Sequence, residues 1–321
     1  MHSSLTILIP TWDRPNQVNQ RLQEINDHWK GEIPLKIQIN PGQFSKSHID
    51  PSLYSGPLEI EENLQNLGFA ANVVLGMSSI QTEWVWILGD DDPIRAESAK
   101  MILDALQHNE ASNIDAILFN QWPQPNPRET ALYHDLETFM GATDFSNILF
   151  ISSTVWRTSF FKSNLGLFID YSYSRASQAL ILLANLQENR CSVLVINQPL
   201  INYVYNHRWC RTDYLKRIAT ILNHPSTQKA QKKIMAFLWP QCRWALLSAA
   251  HEQLKKGEIT LQEWLHAASQ MTWDQIVYSP NAEGLGRIRE IWSILFQIYS
   301  APQLLRILLR PILRTLKPSR A

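Results

Sequence analysis

The sequence predicts an α/β fold in which helices flank a mainly parallel sheet, followed by a helical C-terminal region. Two observations predict the sheet: the first 212 residues alternate strand-like with helix-like segments, and several strand-like segments are almost continuously apolar. Continuous apolar runs are typical of parallel strands that are covered on both faces. A third observation marks a boundary, because only helical patterns follow residue 213. We therefore expect one domain over residues 1–212 and a helical region over residues 213–321.

Each predicted element has a local reason in the sequence. The first strand, residues 5–9, is apolar, and after it Val18, Leu22, Ile25 and Trp29 recur at the spacing of one helical face. The other predicted elements, in chain order, are strands over residues 35–39 and 58–60, a loop and helix over 63–80, a strand over 83–88, a helix over 96–107, a strand over 115–120, a proline-rich loop over 121–127, a strand over 148–156, a helix over 176–186 and a strand over 192–196.

The charge balance excludes one broad class of function. The chain of 321 residues has 29 Lys and Arg against 29 Asp and Glu, and its isoelectric point is about 7.1. A general nucleic-acid binder usually carries a basic excess, so we expect no nucleic-acid partner. With 45% hydrophobic and 18% charged residues, the chain is also too apolar to be disordered.

Three features predict a cytoplasmic location. The three cysteines are far apart and form no CxxC pair, as expected in a reduced compartment. The N-terminus has no basic region before its apolar stretch, so we expect no signal peptide. The longest apolar candidate, residues 291–305, is shorter than the roughly 20 apolar residues that cross a bilayer.

Three consecutive carboxylates, Asp90, Asp91 and Asp92, follow the predicted strand over residues 83–88. Ligands of open α/β sheets bind outside the carboxyl ends of the strands, which is where these residues are expected to lie. Asp92 before Pro93 is also typical of a helix N-cap, but capping accounts for only one of the three carboxylates. Because adjacent like charges repel, the triplet favours a site for Mg²⁺ or Mn²⁺.

Four segments, in order and at suitable spacing, resemble the family 2 glycosyltransferases of GT-A fold. The segments read Ile7-Leu-Ile-Pro-Thr-Trp-Asp-Arg14, Asn66-Leu-Gly-Phe-Ala-Ala-Asn72, Trp86-Ile-Leu-Gly-Asp-Asp-Asp92 and Ile196-Asn-Gln-Pro-Leu-Ile-Asn-Tyr-Val-Tyr-Asn-His207. They are similar, respectively, to the family's first strand and nucleotide-contacting turn, its N-x-G-x-x-x-N segment, its strand with the DXD-type metal motif, and the segment that closes its catalytic domain. The resemblance covers about 200 residues. It implies a GT-A-type sheet over residues 1–212.

The resemblance also implies a nucleotide-sugar site with a divalent metal, Mn²⁺ or Mg²⁺, which would bridge the two phosphates of the donor. The expected metal ligands are Asp91, Asp92 and His207. Asp91 is equally expected at the ribose and Asp90 suits either role, because Gly89 stands where many members have the first Asp of the motif. The residues expected to bind the nucleotide-sugar are Pro10, Thr11, Asp13, Arg14, Asn40, Asn66, Gly68, Asn72, Asp90, Asp91 and Arg208.

Two departures from the family pattern affect the donor site. Asn40 stands where many members have an Asp for the base, and because an amide can also hydrogen-bond a base, both UDP-sugars and GDP-sugars stay open. Ala71 stands where members often have an Arg. The charge of the diphosphate would then fall to the metal or to Arg208.

The resemblance implies transfer with inversion, which requires a carboxylate beside the acceptor hydroxyl to take its proton. Members of the family often have a Glu-Asp pair in this neighbourhood. In this chain residues 168–178 contain a single carboxylate, Asp170, so Asp170 is the expected general base. A role as a helix cap or turn residue stays open for it.

The C-terminal tail, residues 303–321, predicts contact with a membrane surface. Four cations lie on one helical face at steps of four, four and three, and leucine and isoleucine occupy the rest: Arg306, Arg310, Arg314 and Lys317. Such a helix suits an anionic membrane surface, and a helix docked on its own domain is the alternative. The tail also explains the zero net charge, since residues 291–321 hold five cations and no carboxylate, which leaves 24 cations against 29 carboxylates in residues 1–290.

Together these features predict a glycosyltransferase of polysaccharide or cell-surface glycan biosynthesis. It would move a sugar from a nucleotide-sugar to a glycan or lipid-linked glycan, at the cytoplasmic face of the membrane. Two alternatives stay open. A nucleotidyltransferase would usually need a Gly-rich basic loop, and residues 10–15 offer only Arg14. A catalytically inactive sugar-nucleotide-binding or scaffold protein of the same fold would account for the missing Glu-Asp pair.

Overall fold

One sheet and the helices on its two faces make up the part of the chain that the structure describes. The computed structural model describes residues 4–108, 113–122, 130–202, 220–230 and 234. The strands are β1 (Leu5–Trp12), β2 (Leu35–Asn40), β3 (Leu58–Glu62), β4 (Trp84–Ile87), β5 (Ala116–Phe119), β6 (Thr130–Tyr133), β7 (Thr154–Arg157) and β8 (Val193–Ile196). The helices are α1 (Pro15–Trp29), α2 (Gly68–Ser78), α3 (Ser98–His108), α4 (Leu136–Ala142), α5 (Phe145–Ile148), α6 (Thr158–Ser163), α7 (Leu165–Asp170) and α8 (Ser177–Gln187). Short 3-10 helices cover Lys46–His48, Pro51–Leu53, Ile151–Ser153, Ser172–Ser174, Thr220–Asn223 and Pro225–Ala230.

The strand order is β3-β2-β1-β4-β7-β5-β8-β6. Strands β1 to β4 are parallel to one another, and β5 is parallel to β8. Strand β7 runs antiparallel between β4 and β5, and β6 runs antiparallel beside β8. Six of the eight described strands therefore share one direction. The prediction of an α/β fold with a mainly parallel sheet and flanking helices is confirmed.

The alternation of side chains along the strands divides the core between the two faces of the sheet. Ile7 and Ile9 of β1 lie in a buried apolar cluster with side chains of α1 and α3. Leu8 lies on the opposite face, in a cluster with side chains of α2, α4 and α8. The α2 helix packs closely there, since a methyl group on Gly76 would lie 2.7 Å from Leu8 Cδ1. Helices thus cover the central strands on both sides, which explains their continuous apolar sequences.

The predicted strand over residues 148–156 is only partly correct. Strand β7 begins at Thr154, and the residues before it form the end of α5 and a 3-10 turn. The Ser153 hydroxyl donates to the carbonyl oxygens of Asn147 and Phe150, at 2.7 and 2.6 Å. Serine side chains that bond nearby carbonyls compete with strand pairing, so the strand starts only after them.

Residues beyond the predicted boundary at 212 also contribute to the core. Ile221, Ala230 and Ile234 are buried in the cluster that contains α2 and α8. The boundary between residues 212 and 213 stays a prediction, and most of residues 213–321 lie outside the described residues. Within the residues that are described, no helix has the length and apolar character needed to cross a membrane.

Candidate functional site

A crevice at the carboxyl ends of β1 and β4 brings most of the predicted site residues together. From β1, the chain continues to β2 and β3 on one side, whereas β4 lies on the other side. The order of the strands therefore reverses between β1 and β4. In open α/β sheets ligands bind at such a reversal, outside the carboxyl ends of the strands.

Pro10 lies where β1 and β4 separate. The β1–β4 pairing ends with Leu8 opposite Ile87, and Leu8 O accepts the hydrogen bond of Leu88 N at 2.9 Å. Alternate residues of a parallel strand bond to the same neighbour, so an N–H group at position 10 would point towards β4. Because proline has no N–H, Pro10 ends this ladder without leaving a donor unpaired. The segments that follow the two strands then diverge around the crevice.

Asp90 is the buried carboxylate of the crevice, with 6% of its surface exposed. Its Oδ2 atom accepts a hydrogen bond of 2.6 Å from Thr11 Oγ1, and its Oδ1 atom accepts one of 2.8 Å from Arg14 Nη1. Burial raises the pKa of Asp90, while the Thr11 hydrogen bond and the Arg14 charge act in the opposite direction. The end of β1 therefore supplies both groups that hold Asp90.

Arg14 also binds Asp91, so one guanidinium nitrogen joins two carboxylates. The distance from Arg14 Nη1 to Asp91 Oδ2 is 2.7 Å, and the Asp91 side chain is 53% exposed. Burial acts to lower the pKa of Arg14, but the charges of Asp90 and Asp91 outweigh it and raise the pKa. Arg14 is therefore a permanent cation in direct contact with two members of the triplet.

Asp92 faces a different partner. Its Oδ2 atom accepts a hydrogen bond of 2.6 Å from Ser152 Oγ, and Ser152 Oγ accepts one of 2.8 Å from Gly89 N. Burial raises the pKa of Asp92 to about 6, although the Ser152 bond acts to lower it. A methyl group on Gly89 would lie 2.7 Å from Asp92 Oδ2. The glycine that departs from the family pattern therefore makes room for the Asp92 carboxylate.

Two charged residues of the site have no counterpart among the predicted ones. Arg21 of α1 is 2% exposed, and its Nη2 atom donates to Glu24 Oε1 at 2.8 Å. Glu24 Oε2 accepts a hydrogen bond of 3.1 Å from Ile94 N, which fixes the segment that follows the triplet. The Arg21 charge also acts to lower the pKa of Asp92. The available signal was the position of this arginine, which lies in the buried stripe of an amphipathic helix.

Asn40 and Asn72 lie inside a network of buried amides. Asn40 Nδ2 donates to Gly68 O at 3.0 Å, and its Oδ1 accepts from Leu67 N at 3.2 Å and from Asn63 Nδ2 at 2.8 Å. Asn72 Nδ2 donates to Thr11 O and Gln38 O, while its Oδ1 accepts from Asn63. Asn40 and Asn72 are 2% and 1% exposed. These two predicted binding residues therefore fix α2 against the ends of β1 and β2.

Asn66 and Gly68 form the turn that begins α2. Asn66 is exposed, and its Oδ1 atom accepts a hydrogen bond of 2.9 Å from Gly68 N. Gly68 has a φ of +78°, a conformation that favours glycine. No heavy atom lies within 4 Å of the place where its side chain would be. The pattern N-x-G in this chain is thus explained by backbone conformation.

Trp12 is the last residue of β1, where it pairs with Asn40 of β2, and Asp13 follows it. Asp13 has a φ of 55°, and its Oδ1 atom accepts a hydrogen bond of 2.8 Å from Phe44 N. Gly42 leaves space for this carboxylate, since a methyl group there would lie 2.6 Å from Asp13 Oδ1. The Trp12 side chain is 55% exposed beside these residues. It provides a flat apolar surface at the carboxyl end of β1 that the sequence analysis did not assign to ligand binding.

Asp170 belongs to a different element from the three aspartates. It is the last residue of α7, and it is exposed. Helix α7 packs against the first turn of α2 through Phe168 and Phe69, whose ring centroids are 6.5 Å apart. Asp170 is therefore accessible to solvent at the end of a helix that contacts the N-x-G segment. His207 and Arg208 lie outside the described residues.

The donor atoms of the triplet suit a divalent cation that also binds phosphate. Carboxylate oxygens are preferred ligands of Mg²⁺ and Mn²⁺, and Mg²⁺ commonly takes one or two carboxylates together with substrate phosphates and water. Asp91 is exposed and Asp92 lies next to it in the chain. Among the described residues, no three His, Cys, Asp or Glu side chains are grouped so that they could hold a metal ion by themselves. The set therefore fits an open site more closely than a closed protein cage.

The fold and the crevice define an α/β protein with an acidic crevice at the point where its strand order reverses. No protein-family model matches the sequence, and no curated protein matches it. Solved structures with a similar fold include S. aureus TarS in complex with UDP-GlcNAc, at 14% identity, over 86% of this chain and 81% of that one, with a TM-score of 0.49.

Two further solved structures are similar to a comparable degree. A mannosyltransferase from Pyrobaculum calidifontis in complex with GDP-Man and Mn²⁺ has 12% identity over 91% of this chain and 83% of that one, with a TM-score of 0.47. Glucosyl-3-phosphoglycerate synthase from Mycobacterium tuberculosis, in complex with Mn²⁺, UDP-glucose and phosphoglyceric acid, has 10% identity over 74% and 79%, with a TM-score of 0.42.

Proposed function

We propose that the protein is a glycosyltransferase that uses a nucleotide-sugar donor and a divalent cation. One observation carries the proposal: Asp90 and Asp91 lie in the crevice between β1 and β4 and are bound there by Arg14. A site of this kind combines carboxylates for a cation with a guanidinium that can bind phosphate. The resemblance of four sequence segments to family 2 glycosyltransferases of GT-A fold supports the same activity.

Asp91 and Asp92 are the residues that would hold Mn²⁺ or Mg²⁺, together with His207. Bound there, the cation would stabilise the negative charge of the departing nucleoside diphosphate. Asp90 keeps Thr11 and Arg14 in place at the end of β1. Because it is buried, Asp90 would orient these two groups rather than contact the donor.

The nucleoside would lie along the carboxyl ends of β1 and β2. Trp12 offers an exposed ring against which a base or ribose could stack, and Asp13 is held beside it by Phe44 N. Pro10, Asn40 and Asn72 would support this surface without binding the nucleoside through their polar groups. The side-chain amides of Asn40 and Asn72 are hydrogen-bonded within the protein, and Pro10 has no N–H group. Asn66 and Gly68 form the turn at its edge. Arg14 and Arg208 are the cations proposed for the diphosphate.

Asp170 is the proposed general base of an inverting transfer to a glycan or lipid-linked glycan. Its exposure at the end of α7 leaves its carboxylate accessible to an acceptor hydroxyl. Replacing Asp170 with Asn should abolish transfer and leave nucleotide binding unchanged, because the amide cannot take the proton. Near-normal turnover of this variant would remove Asp170 from the mechanism.

The activity is tested with a panel of UDP-sugars and GDP-sugars in Mn²⁺, in which the released products are identified. A glycosyltransferase releases a nucleoside diphosphate from one member of the panel, and the release ceases when EDTA is present. In a parallel assay with added pyrophosphate, conversion of a nucleotide-sugar and pyrophosphate to a nucleoside triphosphate and a sugar phosphate would indicate a nucleotidyltransferase instead. Binding of a donor without any release, even with candidate acceptors, would favour the inactive sugar-nucleotide-binding protein.

A further inference from the structure

The most informative contact of the crevice is the one that links Arg14 to two carboxylates. The same atom, Nη1, lies 2.8 Å from Asp90 Oδ1 and 2.7 Å from Asp91 Oδ2. The carboxylates of adjacent residues thus converge on one guanidinium nitrogen. The oxygen of Asp91 that a cation would use at this side of the site is occupied by a side chain of the protein itself.

The three residues differ in how firmly the protein holds them. The Asp90 side chain is 8% exposed, and Thr11 donates to its other oxygen at 2.6 Å. The Arg14 side chain is 35% exposed and the Asp91 side chain 53%. Arg14 is the N-cap residue of α1, but its side chain makes no capping hydrogen bond. Asp90 is therefore fixed from two sides, whereas Arg14 and Asp91 can separate towards solvent without breaking a contact of the helix end.

A cation and Arg14 cannot satisfy Asp91 Oδ2 in the same way at the same time. A divalent ion near this oxygen would also be repelled by the guanidinium, which keeps its charge at all physiological pH values. Without a bound ion, the guanidinium instead relieves the repulsion between Asp90 and Asp91. Its position is that of an internal counter-ion.

We propose that Arg14 is a counter-ion that occupies, at Asp91, the position of the divalent cation. The cation must displace Arg14 from Asp91 in order to bind. The inference rests on the proposed function, because that function supplies the cation. It adds a role for Arg14 that precedes donor binding: the residue sets how tightly the empty site takes a metal. After displacement, the guanidinium would remain near the end of β1 and would be available to bind an anionic ligand.

The test is calorimetric titration of the full-length protein with MnCl₂ alone, without nucleotide. Arg14→Gln removes the guanidinium group and its positive charge. Arg190→Gln is the matched control. Arg190 is 61% exposed and pairs with Glu188 at 2.7 Å. It precedes β8, at the amino end of a strand that is parallel to β1 and β4, whereas the crevice lies at the carboxyl ends of those strands. We expect Arg14→Gln to bind Mn²⁺ at least about fivefold more tightly than the wild type, since a competing cation has been removed. Arg190→Gln should bind as the wild type does.

Arg14→Lys is a second variant that keeps the positive charge. If charge competition determines the affinity, Arg14→Lys should bind Mn²⁺ within about twofold of the wild type. Circular dichroism establishes whether each variant is folded. If Arg14→Gln does not fold, the comparison of Arg14→Lys with the wild type still tests the inference. Weaker or unchanged Mn²⁺ binding by Arg14→Gln, loss of binding by Arg14→Lys, or no Mn²⁺ binding by the wild type and the variants would overturn the inference. Tighter binding by Arg14→Gln in a protein that takes no nucleotide-sugar would contradict the proposed function and leave the inference intact.

Discussion

Gly89 determines how the three aspartates are arranged. The residue before the triplet has no side chain, and a methyl group there would lie 2.7 Å from Asp92 Oδ2 and 3.4 Å from Ser152 Oγ. Asp92 can therefore turn inward to Ser152, while Asp90 turns towards β1 and Asp91 towards solvent. At the scale of single residues, the geometry of the site depends on this absence of a side chain as much as on the carboxylates.

Gly89→Ala tests whether the arrangement of the aspartates depends on the space at this glycine. The added methyl group would push the Asp92 carboxylate from Ser152, so we expect a loss of about 1–3 kcal/mol in the free energy of unfolding and at least about tenfold weaker Mn²⁺ binding. Urea unfolding and calorimetry measure the two effects. Gly141→Ala in α4 is the control, because nothing lies within 4 Å of its new methyl group. Unchanged metal binding by Gly89→Ala would contradict this explanation of the glycine.

Asp92 should make the metal-free protein less stable at neutral pH than its amide variant. Burial raises its pKa to about 6 from a reference value of 3.8. Between these values the folded state binds a proton that the unfolded state does not, so lowering the pH from 6 to 4 stabilises the wild type. In EDTA at pH 8, Asp92→Asn should be more stable than the wild type by on the order of 1–3 kcal/mol, and the difference should vanish near pH 4.

Urea unfolding at several pH values measures this difference. Asp27→Asn, on the exposed side of α1, is the control for a generic change of charge. If Asp92→Asn were less stable than the wild type at pH 8, the carboxylate would be stabilising, and the assignment of a desolvated, functional aspartate would be wrong.

At the scale of elements, the amide network joins three secondary structure elements behind the crevice. Asn63, Asn72 and Asn40 link the ends of β2 and β3 to the start of α2. Asn72 also reaches Thr11 O, in the strand that holds Asp90. Because buried amide groups are costly to leave unpaired, the network fixes α2 relative to the crevice.

Asn72→Ala and Asn66→Ala should therefore differ strongly, although both residues belong to the N-x-G-x-x-x-N segment. Asn72→Ala removes three hydrogen bonds, to Thr11 O, Gln38 O and Asn63 Nδ2, and we expect it to cost about 2–4 kcal/mol of unfolding free energy. Asn66→Ala removes one exposed turn contact and should cost less than about 1 kcal/mol. Chemical denaturation compares them. Equal losses of unfolding free energy would mean that the amide network does not fix α2 relative to the crevice.

The elements that sequence reasoning predicted are those with local signals. The apolar runs of β1, β4, β5 and β8, the alternating pattern of β2 and the periodic faces of α1 and α3 were predicted within a few residues. In contrast, the polar alternation of Lys36 and Gln38 suggests exposure, yet both are 2% exposed. Lys36 Nζ binds Glu59 and Glu61 of β3, at 2.9 and 2.7 Å. Partners that come from another strand are not visible in the local pattern.

The same distinction holds for the site. The triplet was predicted because a strand ending in acidic residues is a local feature, whereas the residues at the end of β1 were predicted from the family resemblance. Arg21, Glu24 and Ser152 were not, because each acquires its role only when α1 and the segment before β7 pack beside the triplet. The strand β6 and the helices α4, α5, α6 and α7 were also not predicted. They are four to seven residues long, too short for a reliable periodic signal.

At the scale of the whole molecule, the reversal of strand order places the crevice at the carboxyl ends of β1 and β4, which lie in the interior of the sheet. Strands β1 and β4 are covered on both faces by helices, so the residues at their ends stand on a rigid frame. The antiparallel strand β7 then separates β4 from β5 and carries Ser152 on the segment just before it.

The basic C-terminal tail, residues 303–321, lies outside the described residues and stays a proposed anchor to an anionic membrane surface. Its deletion should move the protein from the membrane fraction to the supernatant of cell extracts, because four aligned cations and the apolar face would be lost. Fractionation followed by immunoblotting measures this. A deletion variant with an unchanged membrane fraction would favour the alternative, a terminal helix docked on its own domain.

Calorimetric titration with UDP and GDP, in Mn²⁺ and in EDTA, tests the central claim most directly, because it requires neither the donor sugar nor the acceptor. The wild type and Asp27→Asn should bind one of the nucleotides in Mn²⁺, and the affinity should fall at least about tenfold in EDTA or in Asp91→Asn. Two results would contradict a nucleotide-sugar site at the ends of β1 and β4. One is an affinity that is unchanged by EDTA and by Asp91→Asn, and the other is no binding of either nucleotide.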